Sequence, residues 1–68
     1  MYRLKYDAES DVLLVISSEP GELSHAEEMG DIVVHMGKAG QPLFLEVLNA
    51  SKNVPLMVTA LAKKEVVA

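Results

Sequence analysis

Apolar residues fall into short segments along the chain, separated by turn residues, and their spacing changes near residue 49. At the start, Tyr2, Leu4 and Tyr6 alternate with polar residues, which predicts a strand with one buried face. Two later segments place apolar residues on both faces and therefore indicate central strands that need cover on either side. These segments are residues 12–16 and 43–48.

The remaining segments complete the predicted order of elements. Residues 32–36 form another apolar strand, whereas the more polar segment 23–28 indicates an exposed edge strand. Beyond residue 49, apolar residues recur at the i, i+3, i+4 spacing of a helix, which we expect over residues 54–64. Residues 49–53 supply candidates for the N-terminal cap of this helix.

These elements predict one α+β domain spanning residues 1–68: an antiparallel five-stranded β-meander within residues 2–48, with one C-terminal α-helix packed on one sheet face. A single helix cannot cover two apolar sheet faces, so a second copy of the chain is the simplest cover for the other. The predicted contact between subunits consists of four apolar residues: Leu13, Val15, Phe44 and Leu48.

Composition strengthens the expectation of a partner subunit. The chain has 68 residues, half of them hydrophobic, and no cysteine. A domain this small buries only about 60% of its unfolded surface and usually depends on disulfides, a metal or oligomerisation. Because disulfides and thiolate zinc sites are excluded here, a homo-oligomer, most simply a dimer, is the first expectation.

Charge narrows the classes of partner. Ten acidic and six basic residues give a net charge of −4, and the basic residues do not cluster, so we expect no nucleic-acid partner. No apolar segment approaches the ~20 residues that span a bilayer, and the N-terminus shows no signal-peptide pattern. We therefore expect a cytoplasmic protein without a membrane partner. The acidic balance leaves a basic protein as an alternative partner.

Two short motifs resemble those of a known family. Tyr6 to Asp11 (Y-D-A-E-S-D) leads into Leu13-Leu14-Val15, and a second motif, L-E-V-L-N-A-S, spans residues 45–51. Over residues 2–52 the chain resembles a small prokaryotic family, domain of unknown function 2283. The resemblance implies a compact β-meander with a helix, no assigned activity, and an antitoxin-like partner role for some members. It also marks several motif residues as structural: Tyr6, Asp7, Glu9, Asp11, Glu46, Asn49 and Ser51.

The three acids of the first motif have the i, i+2, i+4 spacing of calcium-loop ligands. The rest of that loop is missing, because Val12 stands where a glycine is required and Ser18 where a bidentate glutamate is required. A hydrogen-bonded turn that caps the first hairpin is therefore the favoured interpretation of these acids.

His25 and His35 raise a metal-binding alternative. If strands 23–28 and 32–36 form a hairpin centred on Gly30, the two histidines face each other and Glu27 lies on the same face. Two imidazoles and one carboxylate suit zinc or nickel. A shift of one residue in register destroys this arrangement, so two solvent-facing polar side chains are the favoured interpretation.

The sequence offers no catalytic group. No serine lies in a G-x-S-x-G motif, and Gly37 to Gly40 is too short for a phosphate loop and lacks its Lys-Ser/Thr pair. Glu46, a lone acid in an apolar strand, is either a buried carboxylate with a perturbed pKa or, as we favour, one partner of an ion pair with Arg3 or Lys5. We therefore expect a non-enzymatic domain without a cofactor that acts as a homo-oligomeric protein-interaction module.

Overall fold

The computed structural model describes residues 2–64 and contains five strands followed by one helix. The elements, in chain order, are β1 (Arg3–Asp7), β2 (Val12–Ile16), β3 (Leu23–Met29), β4 (Ile32–Gly37), β5 (Pro42–Leu48) and α1 (Ala50–Lys63). Every strand pairing is antiparallel. The predicted α+β class, the five strands and the C-terminal helix are confirmed. Residues 1 and 65–68 of the predicted domain lie outside the described residues.

The strand order differs from that of a simple meander. The sheet runs β1-β2-β5-β4-β3, so β5 lies between β2 and β4, and β3 forms an edge. The two strands that are apolar on both faces, β2 and β5, thereby gain neighbours on both sides. The polar strand β3 is exposed along its whole length at one edge, where its charged side chains discourage pairing with another chain.

The register assigns each side chain to one of two sheet faces. Leu13 lies opposite Val47 and Val15 lies opposite Leu45, on the face that carries the helix. We call this face the helix side, and the opposite face the open side. The open side displays the following apolar residues: Val12, Leu14, Ile16, Val33, Phe44 and Leu48.

This register corrects the predicted subunit contact. Leu13 and Val15 lie on the helix side, whereas Phe44 pairs with Ile16 and Leu48 pairs with Val12 on the open side. The four residues therefore do not form one surface. Alternation along each strand separates them, because neighbouring odd and even positions point to opposite faces.

Little of the chain is buried. In residues 2–64, the buried apolar side chains are Val47, 2% exposed, and Ala50, 3% exposed. Strand β1, predicted to bury one face, is exposed at every residue. The sheet and the helix therefore meet in a small contact around the end of β5 and leave apolar surface uncovered elsewhere.

The helix begins four residues earlier than predicted, at Ala50 instead of Val54. Pro55, which falls in the first turn of the predicted helix, therefore lies in the interior of the observed helix. The earlier start follows from contacts outside the helix, which are described below. Within residues 2–64, no helix combines the length and the apolar content needed to cross a membrane.

Candidate functional site

A hydrogen-bond network joins the first hairpin to the start of the helix. The Asp11 carboxylate accepts hydrogen bonds from the Tyr6 hydroxyl at 2.7 Å, from the Ser51 amide at 2.9 Å and from the Ser51 hydroxyl at 2.7 Å. The Asp11 carbonyl accepts another from the Ala50 amide at 3.0 Å. Asp11 thus caps the helix from a distant turn, where a carboxylate also opposes the positive end of the helix dipole.

A second turn holds the same junction from the other side. The Asp31 carboxylate accepts hydrogen bonds from the side-chain amides of Asn53, at 2.9 Å, and Asn49, at 3.3 Å. The Asp31 carbonyl accepts one from the Leu48 amide at 2.7 Å. We call Tyr6, Asp11, Asp31, Asn49, Ser51 and Asn53 the junction network.

Backbone conformation explains the choice of Asp and Asn in the network. Asp11 and Asn49 have positive φ angles, 57° and 50°, which place them in the left-handed region. Asp and Asn enter this region more readily than other residues with a Cβ atom. Asp7 closes the first hairpin by accepting a hydrogen bond from the Glu9 amide at 3.0 Å, as the turn interpretation of these acids predicted.

The hydrogen bonds of the junction network shift the pKa values of its titratable groups. Hydrogen bonds from Tyr6 and then Ser51 lower the pKa of Asp11, and those from Asn53 and Asn49 lower the pKa of Asp31. Donating to Asp11 raises the pKa of the Tyr6 hydroxyl, because the proton stays in the hydrogen bond. Both carboxylates therefore favour their ionised form in the folded chain.

A polar pair lies within the apolar open side. His35 Nε2 and Glu46 Oε1 are 2.6 Å apart, and their side chains are 19% and 29% exposed. The imidazole of His35 also stacks on the Phe44 ring, with 3.9 Å between the ring centroids. Glu46 is thus an ion-pair or hydrogen-bond partner in a structural role, but its partner is His35 instead of the predicted Arg3 or Lys5.

The predicted facing of the two histidines is wrong. His25 lies opposite Met36, and His35 lies opposite Ala26, so the register is shifted by one residue from that prediction. The shift places the histidines on opposite faces of the sheet. On the exposed edge strand, His25 lies 3.1 Å from the Ser24 hydroxyl through Nδ1 and 3.8 Å from the Glu27 carboxylate through Nε2. Among the described residues, no three His, Cys, Asp or Glu side chains come together as a metal site.

The His35–Glu46 contact predicts a tautomer. Because an ionised carboxylate only accepts hydrogen bonds, the neutral His35 ring must carry its hydrogen on Nε2. In mildly alkaline buffer, long-range ¹H–¹⁵N spectra should show the Nε2–H form for His35, and Glu46→Leu should remove that preference. An Nδ1–H form in the unmodified chain would show that the contact does not exist in solution.

Together, the five-stranded open sheet, the helix and the junction network define a small α+β domain built around one strand–helix junction. The chain belongs to the family described as protein of unknown function (DUF2283), whose model matches residues 3–51, more than two thirds of the chain. Searches of curated proteins and of solved structures found no significant match. The match confirms the resemblance that the two motifs indicated.

The structure assigns these motifs to one place. Asp11 of the first motif accepts hydrogen bonds both from Tyr6 of the same motif and from Ser51 of the second, although about forty residues separate Asp11 from Ser51. The sequence did not predict the contact between Asp31 and Asn53, although Asn53 lies among the candidates for the helix cap. An aspartate directly after Gly30 in a turn and an asparagine in a first helical turn are too common to signal this contact.

Proposed function

We propose that this domain is a non-enzymatic interaction module that works as a homodimer. The observation that carries the proposal is its accessible surface, 5329 Å². A compact monomer of the same mass exposes about 4,200 Å², so this chain exposes about 1,100 Å² more. A standard protein interface buries about 800 Å² on each partner, which is within that excess.

The kind of surface supports the same proposal. The exposed large apolar residues include three from the alternating segment at residues 2–6: Tyr2, 70% exposed, Leu4, 66%, and Tyr6, 53%. Their alternation with charged residues is the pattern of a strand with one buried face. A partner that covers this face would explain why the sequence alternates as in a half-buried strand although these side chains are exposed in the single chain.

A basic protein is the second candidate partner. The net charge of −4 favours it, and the exposed edge strand β3 presents Glu27 and Glu28 to solvent. Charge complementarity would then set the rate and the salt dependence of association. Self-association is preferred because nine large apolar residues are exposed among residues 2–64, several of them adjacent on β1 and on the helix.

Light scattering after size exclusion, at micromolar concentration, tests the proposal. We expect a species of twice the 7.4 kDa mass of the chain. Raising the salt concentration should leave it intact, since an apolar contact between two acidic chains does not depend on ion pairs. A well-folded 7.4 kDa species over the whole concentration range would overturn the proposal, and one that binds a basic protein would favour the second candidate.

A further inference from the structure

Exposed large apolar side chains are concentrated on one side of the molecule. The nine most prominent are Tyr2, Leu4, Tyr6, Leu23, Met29, Leu56, Met57, Val58 and Leu61. Four of these belong to the helix, and the strand register places three others, Leu4, Tyr6 and Met29, on the helix side. The apolar residues of the central strands β2, β4 and β5, apart from Pro42, are partly or fully covered on both sides of the sheet. The exposed apolar side chains of the helix side therefore lie on the edge strands and on the helix.

The helix leaves the sheet along its length. Ala50, Val54, Met57 and Leu61 lie along one stripe, since they are spaced by about one helical turn each. Along this stripe, exposure rises from 3% at Ala50 to 42% at Met57 and 78% at Leu61. The N-terminal turn is therefore held against the sheet by the junction network, and the C-terminal half presents an apolar stripe that the rest of residues 2–64 leaves largely exposed.

The sheet is only partly covered beyond the junction. A groove of 360 Å³ lies at the end of the sheet away from the helix N-terminus, and its lining includes Tyr2, Val15, Val34 and Leu45, together with Phe44 and Glu19. The register places Val15, Leu45 and Val34 in a row with Leu4 on the helix side. Within residues 2–64, the molecule thus carries an exposed apolar helix stripe and a partly exposed apolar sheet surface on the same side.

We propose that the helix side, including the C-terminal half of the helix, is the surface that a second copy of this chain covers. This inference rests on the homodimer proposed above and assigns it a surface. A two-fold axis makes the contact reciprocal, so each copy offers its helix stripe and its sheet groove to the other. The excess of about 1,100 Å² is enough for this contact.

Charge distribution favours this side over the open side. The residues of β1 that face the open side include Arg3 and Lys5, and the polar pair His35–Glu46 lies near its centre. The residues of β1 that face the helix side are Leu4 and Tyr6, which carry no charge at neutral pH. The helix side carries Glu27 at its opposite edge, on β3, away from β1. A self-contact on the open side would bring like charges together or bury a polar pair, both of which are unfavourable.

The first test places a charge on the helix stripe. Leu61→Glu should raise the dimer dissociation constant by at least about 100-fold, since it buries an unpaired carboxylate at the contact. It should leave the monomer folded, because Leu61 is 78% exposed and glutamate is a good helix former. The matched control is Thr59→Glu, which adds the same charge on the far side of the helix and should leave the constant unchanged.

The second test compares two adjacent valines on β4. Val34 lies on the helix side, opposite Leu45, and Val33 on the open side, opposite Glu46. Val34→Thr should weaken the dimer roughly tenfold, since a hydroxyl loses its water at the contact, whereas Val33→Thr should not. Sedimentation measures both constants, and circular dichroism checks that each variant is folded.

The possible outcomes distinguish the existence of the homodimer from the assignment of its contact to the helix side. A folded wild-type monomer would overturn the homodimer and this inference together. A wild-type dimer that Leu61→Glu and Val34→Thr leave intact, but that Val33→Thr weakens, would overturn the helix-side assignment and keep the homodimer. We expect Leu61→Glu and Val34→Thr to weaken the dimer, and the controls Thr59→Glu and Val33→Thr to leave the dissociation constant unchanged.

Discussion

Replacing Asp11 with alanine is expected to lower the melting temperature by roughly 5–15 °C, through loss of a helix cap and of the bond to Tyr6. The substitution removes the carboxylate that three donors share, from Tyr6 and from the amide and hydroxyl of Ser51. It also removes the side chain that eases the left-handed backbone at this position. Thermal unfolding followed by circular dichroism, at equal chain concentrations, measures the effect.

Glu9→Ala is the matched control for this prediction. Glu9 lies in the same turn and the same motif, but its carboxylate makes no hydrogen bond within residues 2–64. Its replacement should therefore change the melting temperature by no more than a degree or two, as exposed substitutions usually do. Equal effects of the two variants would show that the motif acids act through their charge alone and not through the junction network.

Acid is expected to destabilise the domain through the same carboxylates. Hydrogen bonds lower the pKa values of Asp7, Asp11 and Asp31 in the folded chain. A carboxylate with a lowered folded pKa contributes stability that is present above its unfolded pKa and is lost as the pH falls through the folded value. The melting temperature should therefore fall steadily as the pH drops from about 5 to about 2.

Asp31→Asn isolates one of these contributions. It preserves an oxygen acceptor for Asn53 and Asn49 but removes the group that titrates. The variant should be less stable than the wild type at pH 7, and the difference should shrink as acid protonates Asp31 in the wild type. Glu9→Gln is the control and should show no difference that depends on pH. A constant gap between Asp31→Asn and the wild type would contradict the assigned role of Asp31.

Local pattern was sufficient to predict most elements of the fold. The strand at 12–16 is confirmed within its predicted bounds, and the other strands differ by one residue at an end. Alternation and apolar runs report on a few neighbouring residues, and strand or helix formation depends largely on those neighbours. The start of the helix could not be predicted from local pattern, because the amide of Ser51 is capped by Asp11, forty positions away.

The register of strand pairing could not be predicted from the same pattern. A hairpin about Gly30 accepts pairings that differ by one residue, and the structure chooses the one that separates His25 from His35. The bulges near residue 24 in β3 and between His35 and Met36 in β4 depend on several strands at once. For the same reason, the partnership of His35 with Glu46 and the stacking on Phe44 appear only in three dimensions.

The sequence by itself determined that this chain is a small acidic α+β domain with more apolar strand surface than one helix can cover. It also determined which residues form the two motifs of its family. Only the tertiary structure decided that the motifs meet at one junction, that β5 enters between β2 and β4, and that the helix departs from the sheet. The physical reason is that propensity and periodicity act between near neighbours, whereas strand order, register and burial arise from contacts between residues far apart in the chain.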